Sequence, residues 1–107
     1  GVEVDSWYTT HNGFEIRHDK KEQWDEKGQL NLTSFLNEFI VPRFQEIWFD
    51  PRPRGEENLE MYQVLNATIF ESKFQGKLFC ELTGNVIQML LKHSPIKNWN
   101  FEFVYSR

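Results

Sequence analysis

His11, His18, His93 and Cys80 are the side chains of this 107-residue chain with the broadest chemical repertoire: proton transfer, metal ligation or nucleophilic attack. His18-Asp19 has the make-up of a carboxylate-oriented base, but a surface histidine beside an aspartate is commonplace. No spacing of His, Cys and carboxylate follows a zinc pattern. A reactive thiol needs a nearby base or a helix N-terminus to lower its pKa. Cys80, between Phe79 and Glu81 in a strand-like stretch, has neither, so a buried, inert thiol is expected. The six glycines, at 1, 13, 28, 55, 76 and 84, are too scattered to cradle a phosphate. Arg52 and Arg54, set among Pro51, Pro53 and Gly55, could clamp an anion; a prolyl-stiffened connector explains them more simply. The expectation is therefore a protein that is no enzyme, with no cofactor and no metal.

What stands out instead is acid beside aromatic. Glu22, Asp25 and Glu26 surround Trp24, and Glu56, Glu57 and Glu60 follow the Pro-Arg loop. A tryptophan ringed by carboxylates suits an interface: the ring supplies area to desolvate and the charges steer a cationic partner. Net charge is −4, with 13 acidic and 7 basic side chains in residues 1–60 against 3 and 5 in residues 61–107. A surface for nucleic acid or anionic membrane needs the opposite balance. An RNA-recognition strand should combine a basic residue, a glycine and alternating aromatics. Gly76-Lys77-Leu78-Phe79-Cys80-Glu81-Leu82 offers one aromatic and an acid instead.

The elements that must position these residues are read from periodicity. Val2 to Asp19 predicts a β-hairpin turning at Asn12-Gly13, pairing Thr9 with Ile16 and Trp7 with His18, with Trp7, Phe14 and Ile16 toward the core. Residues 20–28 are polar apart from Trp24. Leu32, Phe35, Leu36, Phe39, Ile40, Phe44, Ile47 and Trp48 fall at spacings of three and four, predicting a helix over 32–48 kinked at Pro42. Asp50 to Gly55 predicts a stiff exposed loop. Met61–Phe70 and Leu78–Leu82 read as strands, Asn85–His93 as a helix, and Trp99, Phe101, Phe103 and Tyr105 as one face of a last strand.

That order predicts a single α+β domain over 1–107, ferredoxin-like (βαββαβ) with an extra N-terminal hairpin strand and both helices on one face of an antiparallel sheet. Seventeen aromatic residues, 10 Phe, 4 Trp and 3 Tyr, supply the core. The fold itself hosts many unrelated functions. One cysteine and the lack of any apolar run of about 20 residues suit a cytoplasmic protein off the membrane. The first residues, Gly-Val with no Met, read as a trimmed or processed chain. In composition, though not in any motif, the chain is similar to bacterial immunity proteins and other inhibitors that plug a basic toxin nuclease. The expected function is of that type: binding and blocking a basic protein through Glu22, Trp24, Asp25, Glu26, Glu56, Glu57 and Glu60. The alternative is a small-molecule-binding or sensory domain with a pocket between the sheet and the kinked helix, lined by Phe39, Phe44 and Phe101.

Overall fold

The computed structural model describes residues 2–11, 13–16, 30–40, 46–53 and 58–105. The elements are β1 (Val2–Thr9), β2 (Gly13–Ile16), a two-residue β3 (Leu30–Asn31) and a short helix α1 (Leu32–Ser34) that runs on as a π-helical stretch, Phe35–Ile40. Then come β4 (Glu46–Arg52), α2 (Leu59–Glu71), β5 (Lys77–Leu82), α3 (Gly84–His93), a 3₁₀ turn (Ile96–Asn98) and β6 (Glu102–Tyr105).

Two segments exchange the roles that their periodicity suggests. Residues 46–52, predicted to end the helix and enter a loop, form a central strand with Ile47, Phe49 and Pro51 buried and Glu46 and Trp48 exposed. Pro51 is tolerated because it lies beyond the rungs joining β4 to β5, which run from Glu46↔Lys77 to Phe49↔Cys80. Residues 61–70, predicted as a strand, form α2. Met61, Tyr62, Leu65 and Ile69 are its buried side chains, on one helical stripe. The Asn58 side chain caps it, accepting from the Met61 N–H at 3.3 Å. A short apolar run fits either period, and here the capping residue and the 61-62-65-69 spacing prevail.

Parallel neighbours need a crossover connection, which α2 supplies between β4 and β5 and α3 between β5 and β6. Accordingly β1, β4, β5 and β6 are parallel neighbours, while β2 and β3 add antiparallel on the far side of β1, giving the order β3-β2-β1-β4-β5-β6. The domain is α+β with a mixed sheet, not the antiparallel ferredoxin-like arrangement. The crossovers step one way across the sheet, and right-handed connections then lay every helix on the same face. The helices do form one layer: α1 touches α2 and α2 touches α3. The core lies between, built from Val4, Phe14, Ile47, Phe49, Leu78, Cys80 and Leu82 of the strands and Leu65, Val86 and Leu90 among the helical residues.

The hairpin differs from expectation in a way that matters below. Gly13 takes φ +68°, open to glycine at no steric cost, and the loop between paired residues has three members. Thr9 therefore faces Gly13, Tyr8 faces Phe14 and Trp7 faces Glu15. A register displaced by an odd number of residues turns a strand over relative to its partner. Tyr8 thus joins the core against Phe14, with ring centroids 5.1 Å apart, and Trp7 stands on the opposite face.

Candidate functional site

Because the described helices lie on one side, every second side chain of four parallel strands points to the other. Register sorts these side chains into rows. One row runs Glu3, Trp48, Phe79, Glu102 across β1, β4, β5 and β6. The next holds Asp5 and Asp50, with Glu81 of β5 and then Val104. A third pairs Trp7 with Arg52, and Trp7 faces Glu15 on its other side. Glu46 and Lys77 pair at the opposite end.

The face is thus acidic with rings at its centre. Trp48 and Phe79 stack at 4.8 Å between centroids with planes 18° apart, and Trp48 is 39% exposed. Such a stack withdraws part of each ring from water while leaving a flat apolar surface for a partner. Among the described residues, seven carboxylates (Glu3, Asp5, Glu15, Glu46, Asp50, Glu81 and Glu102) lie on this side of the sheet with two cations, Lys77 and Arg52, Glu15 being buried. Arg52 reaches back along its own strand to Asp50, Nη2 to Oδ2 3.1 Å. Like charges opposite one another across strands destabilise a sheet unless partners offset them, as Arg52 does for Asp50. A shallow concavity of about 110 Å³ opens here, lined by Glu3, Asp5, Trp48, Phe49, Asp50 and Glu81.

Cys80 lies directly behind this row, on the core side. Complete burial pushes its thiol well above the ordinary value, and the charges of Asp50 and Glu81 push the same way. The thiolate needed for nucleophilic work is therefore disfavoured.

The acidic residues singled out from sequence fall elsewhere. Glu22, Trp24, Asp25, Glu26, Glu56 and Glu57 lie outside the described residues. Glu60 is exposed in the first turn of α2 and its charge reaches Tyr8, whose pKa is raised by burial first and by that charge second. Tyr8 points to the core side of β1, so Glu60 belongs to the helix side. His18 and Arg54 are also outside the described residues, as are Phe44 and the side chain of Phe39. Phe101 is buried between Trp99 and Phe103, at 5.8 and 5.5 Å between centroids. His11 is exposed in the hairpin loop. His93 ends α3, with its Nε2 3.0 Å from Gln63 Nε2. Among the described residues no three His, Cys, Asp or Glu side chains gather as a metal site. No described helix is long and apolar enough to cross a membrane.

Sequence reasoning overlooked Asp5, Trp48, Asp50, Phe79 and Glu81 as a group. Their signal was present as alternation: Glu3-Val4-Asp5, Glu46-Ile47-Trp48-Phe49-Asp50 and Lys77-Leu78-Phe79-Cys80-Glu81 each place acids or rings opposite core residues. The outer surface of the helix layer has two grooves of its own. One of about 380 Å³ lies beside Asn66, Phe70 and Trp99, and one of about 460 Å³ beside Leu59, Met89 and Lys92. In the first, Asn66 is occupied as a clasp: its Nδ2 donates to the Asn98 carbonyl at 3.1 Å and its Oδ1 accepts from the Asn100 N–H at 2.6 Å.

Compared with known proteins, the chain matches no family model, no curated protein and no solved structure.

Proposed function

We propose that this is a non-enzymatic, acidic interaction protein of the immunity or inhibitor type, which binds a basic protein and blocks it, with a toxin or nuclease as the target class. The observation that carries the proposal is the sheet face that none of the described helices covers, where rows of carboxylates flank the stacked Trp48 and Phe79. The rings supply apolar area for a central contact, and the charges around them attract a cationic surface and disfavour wrong partners. The same charges repel phosphate backbones and anionic lipid, so neither is a direct ligand. The acids around Trp24 and in residues 56–60 extend the negative field in sequence terms, and a cytoplasmic location agrees with a single cysteine.

Affinity capture from the native host, followed by stopped-flow association with the captured protein, tests this. The expected partner is basic, its association slows by roughly tenfold or more as salt is raised, and its activity is lost in the complex. A partner that is not basic, or a rate indifferent to salt, overturns the proposal.

A further inference from the structure

We infer that two copies of this chain pair through the outer edge of β6. β6 is the last strand of the sheet, and among the described residues no strand lies beyond it. Its outward N–H and C=O groups are a template for another strand. Edge strands are ordinarily blunted by lysine, proline or a bulge. Phe101 to Tyr105 contains no lysine or proline, and β6 pairs with β5 in unbroken register from Phe79↔Glu102 to Leu82↔Tyr105.

The flank of α3 beside this edge is apolar as well. A Cβ on Gly84 would stand 3.4 Å from the Tyr105 ring, which places the start of α3 against the end of β6. Ile87 and Leu91 follow Gly84 on the same side of the helix. Tyr105 is 65% exposed and Leu91 44%. Open backbone groups thus run beside an apolar strip.

Charge selects the occupant. The chain carries a net −4 and is 26% charged, so two copies repel over most of their surfaces. Residues 82–91 have no charged side chain and residues 99–105 have only Glu102. A second copy meets almost no opposing field at this patch, and a patch of apolar side chains is its own complement about a two-fold axis. Antiparallel pairing about Phe103 sets Phe101 opposite the second copy's Tyr105, joining rings across the seam. Both helix layers then lie on one side of a continuous sheet, and the two acidic faces lie together on the other. The pairing is independent of the acidic face and of whatever binds there.

Sedimentation from micromolar to millimolar concentration tests it. The expected mass rises from 12.9 kDa toward twice that value, and pairing tightens with added salt as the net charge is screened. Binding of a basic partner would weaken under the same change, so failure of one proposal is distinguishable from failure of the other. Leu91→Lys combined with Tyr105→Lys, both at exposed positions, should cut the dimerisation constant roughly tenfold or more with an unchanged circular dichroism spectrum. Phe70→Lys, at a ring 77% exposed on α2, should leave it unaltered. A wild-type mass of 12.9 kDa throughout, or a double variant that pairs like the wild type, overturns the inference. So does an unrelated strand peptide that pairs with β6 while the protein's own copies stay apart.

Discussion

The two outer surfaces of this domain, the helix-free face of the sheet and the outside of the helix layer, are built on different rules. Among the described residues the sheet face carries seven carboxylates to two cations, and its central rings are in contact with each other. On the helix layer the charges are mixed, Lys73, Lys92 and Lys97 alongside Glu60 and Glu71, and the exposed apolar residues Phe70 and Leu91 sit on separate helices. Helices choose which stripe to bury, and their outward residues need only be soluble. A strand in a sheet covered on one side has no such latitude: alternate residues are committed to the open face. Acid and aromatic residues are placed in register there, row by row across the strands.

The sharpest way to separate the two surfaces is to damage the interior of one and the exterior of the other. Leu65→Ala, at a fully buried position on α2, should cost about 2–5 kcal/mol of stability in urea unfolding, with partner affinity unchanged for the fraction that remains folded. Trp48→Ala should do the reverse, weakening partner binding by about 2 kcal/mol or more in titration calorimetry while unfolding free energy moves much less. Equal effects on stability and binding in either variant would erase the distinction.

Alkaline titration probes the layer just beneath the acidic row. Cys80 and Tyr8 both have pKa values raised by folding, from ordinary values of 9.0 and 10.0. The folded state therefore holds protons that the unfolded state releases. Their contribution is fully present below these ordinary values and is lost as pH rises toward the folded ones, at up to about 1.4 kcal/mol per pH unit for the fully buried Cys80 and much less for the solvent-screened Tyr8. Unfolding free energy should start to fall above pH 9, and Cys80→Ala should flatten that first decline even though it lowers stability at neutral pH. The thiol should also resist aromatic disulfide reagents until the chain unfolds.

Smaller effects refine the contrast. Asn58→Ala removes the α2 cap and should lower the thermal midpoint by an amount equivalent to about 1 kcal/mol, with no change in association rate. Glu3→Gln, exposed at the edge of the acidic concavity, should leave stability within about 0.5 kcal/mol. It should slow association with a basic partner about twofold at low salt and hardly at all at high salt.

Parts of this organisation were legible in the residues. The alternation of Leu78, Cys80 and Leu82 and the helical spacing of Val86, Ile87 and Leu90 each lead to the right element near the right place, while of the four alternating rings only Phe103 and Tyr105 lie in β6, Trp99 and Phe101 preceding it and Tyr105 being exposed. The Gly13 turn was legible too, but not the length of its loop, and that one difference sends Trp7 to the other face. Glu46 to Arg52 was misread because Ile47 and Trp48 continue the three-four spacing begun at Leu32. The alternation that makes it a strand became decisive only with β1 and β5 on either side to pair with it.

Amphipathic period is a local property, so residues 77–82 and 84–93 declare strand and helix by themselves, and composition alone makes the chain acidic and rich in rings. Strand neighbours and crossover direction are non-local. Only when β4 lies between β1 and β5 do Glu3, Asp5, Trp48, Asp50, Phe79 and Glu81, drawn from three distant segments, stand on one surface that no described helix covers. No single segment holds that arrangement, because it is the hydrogen-bonded register between parallel strands that creates it.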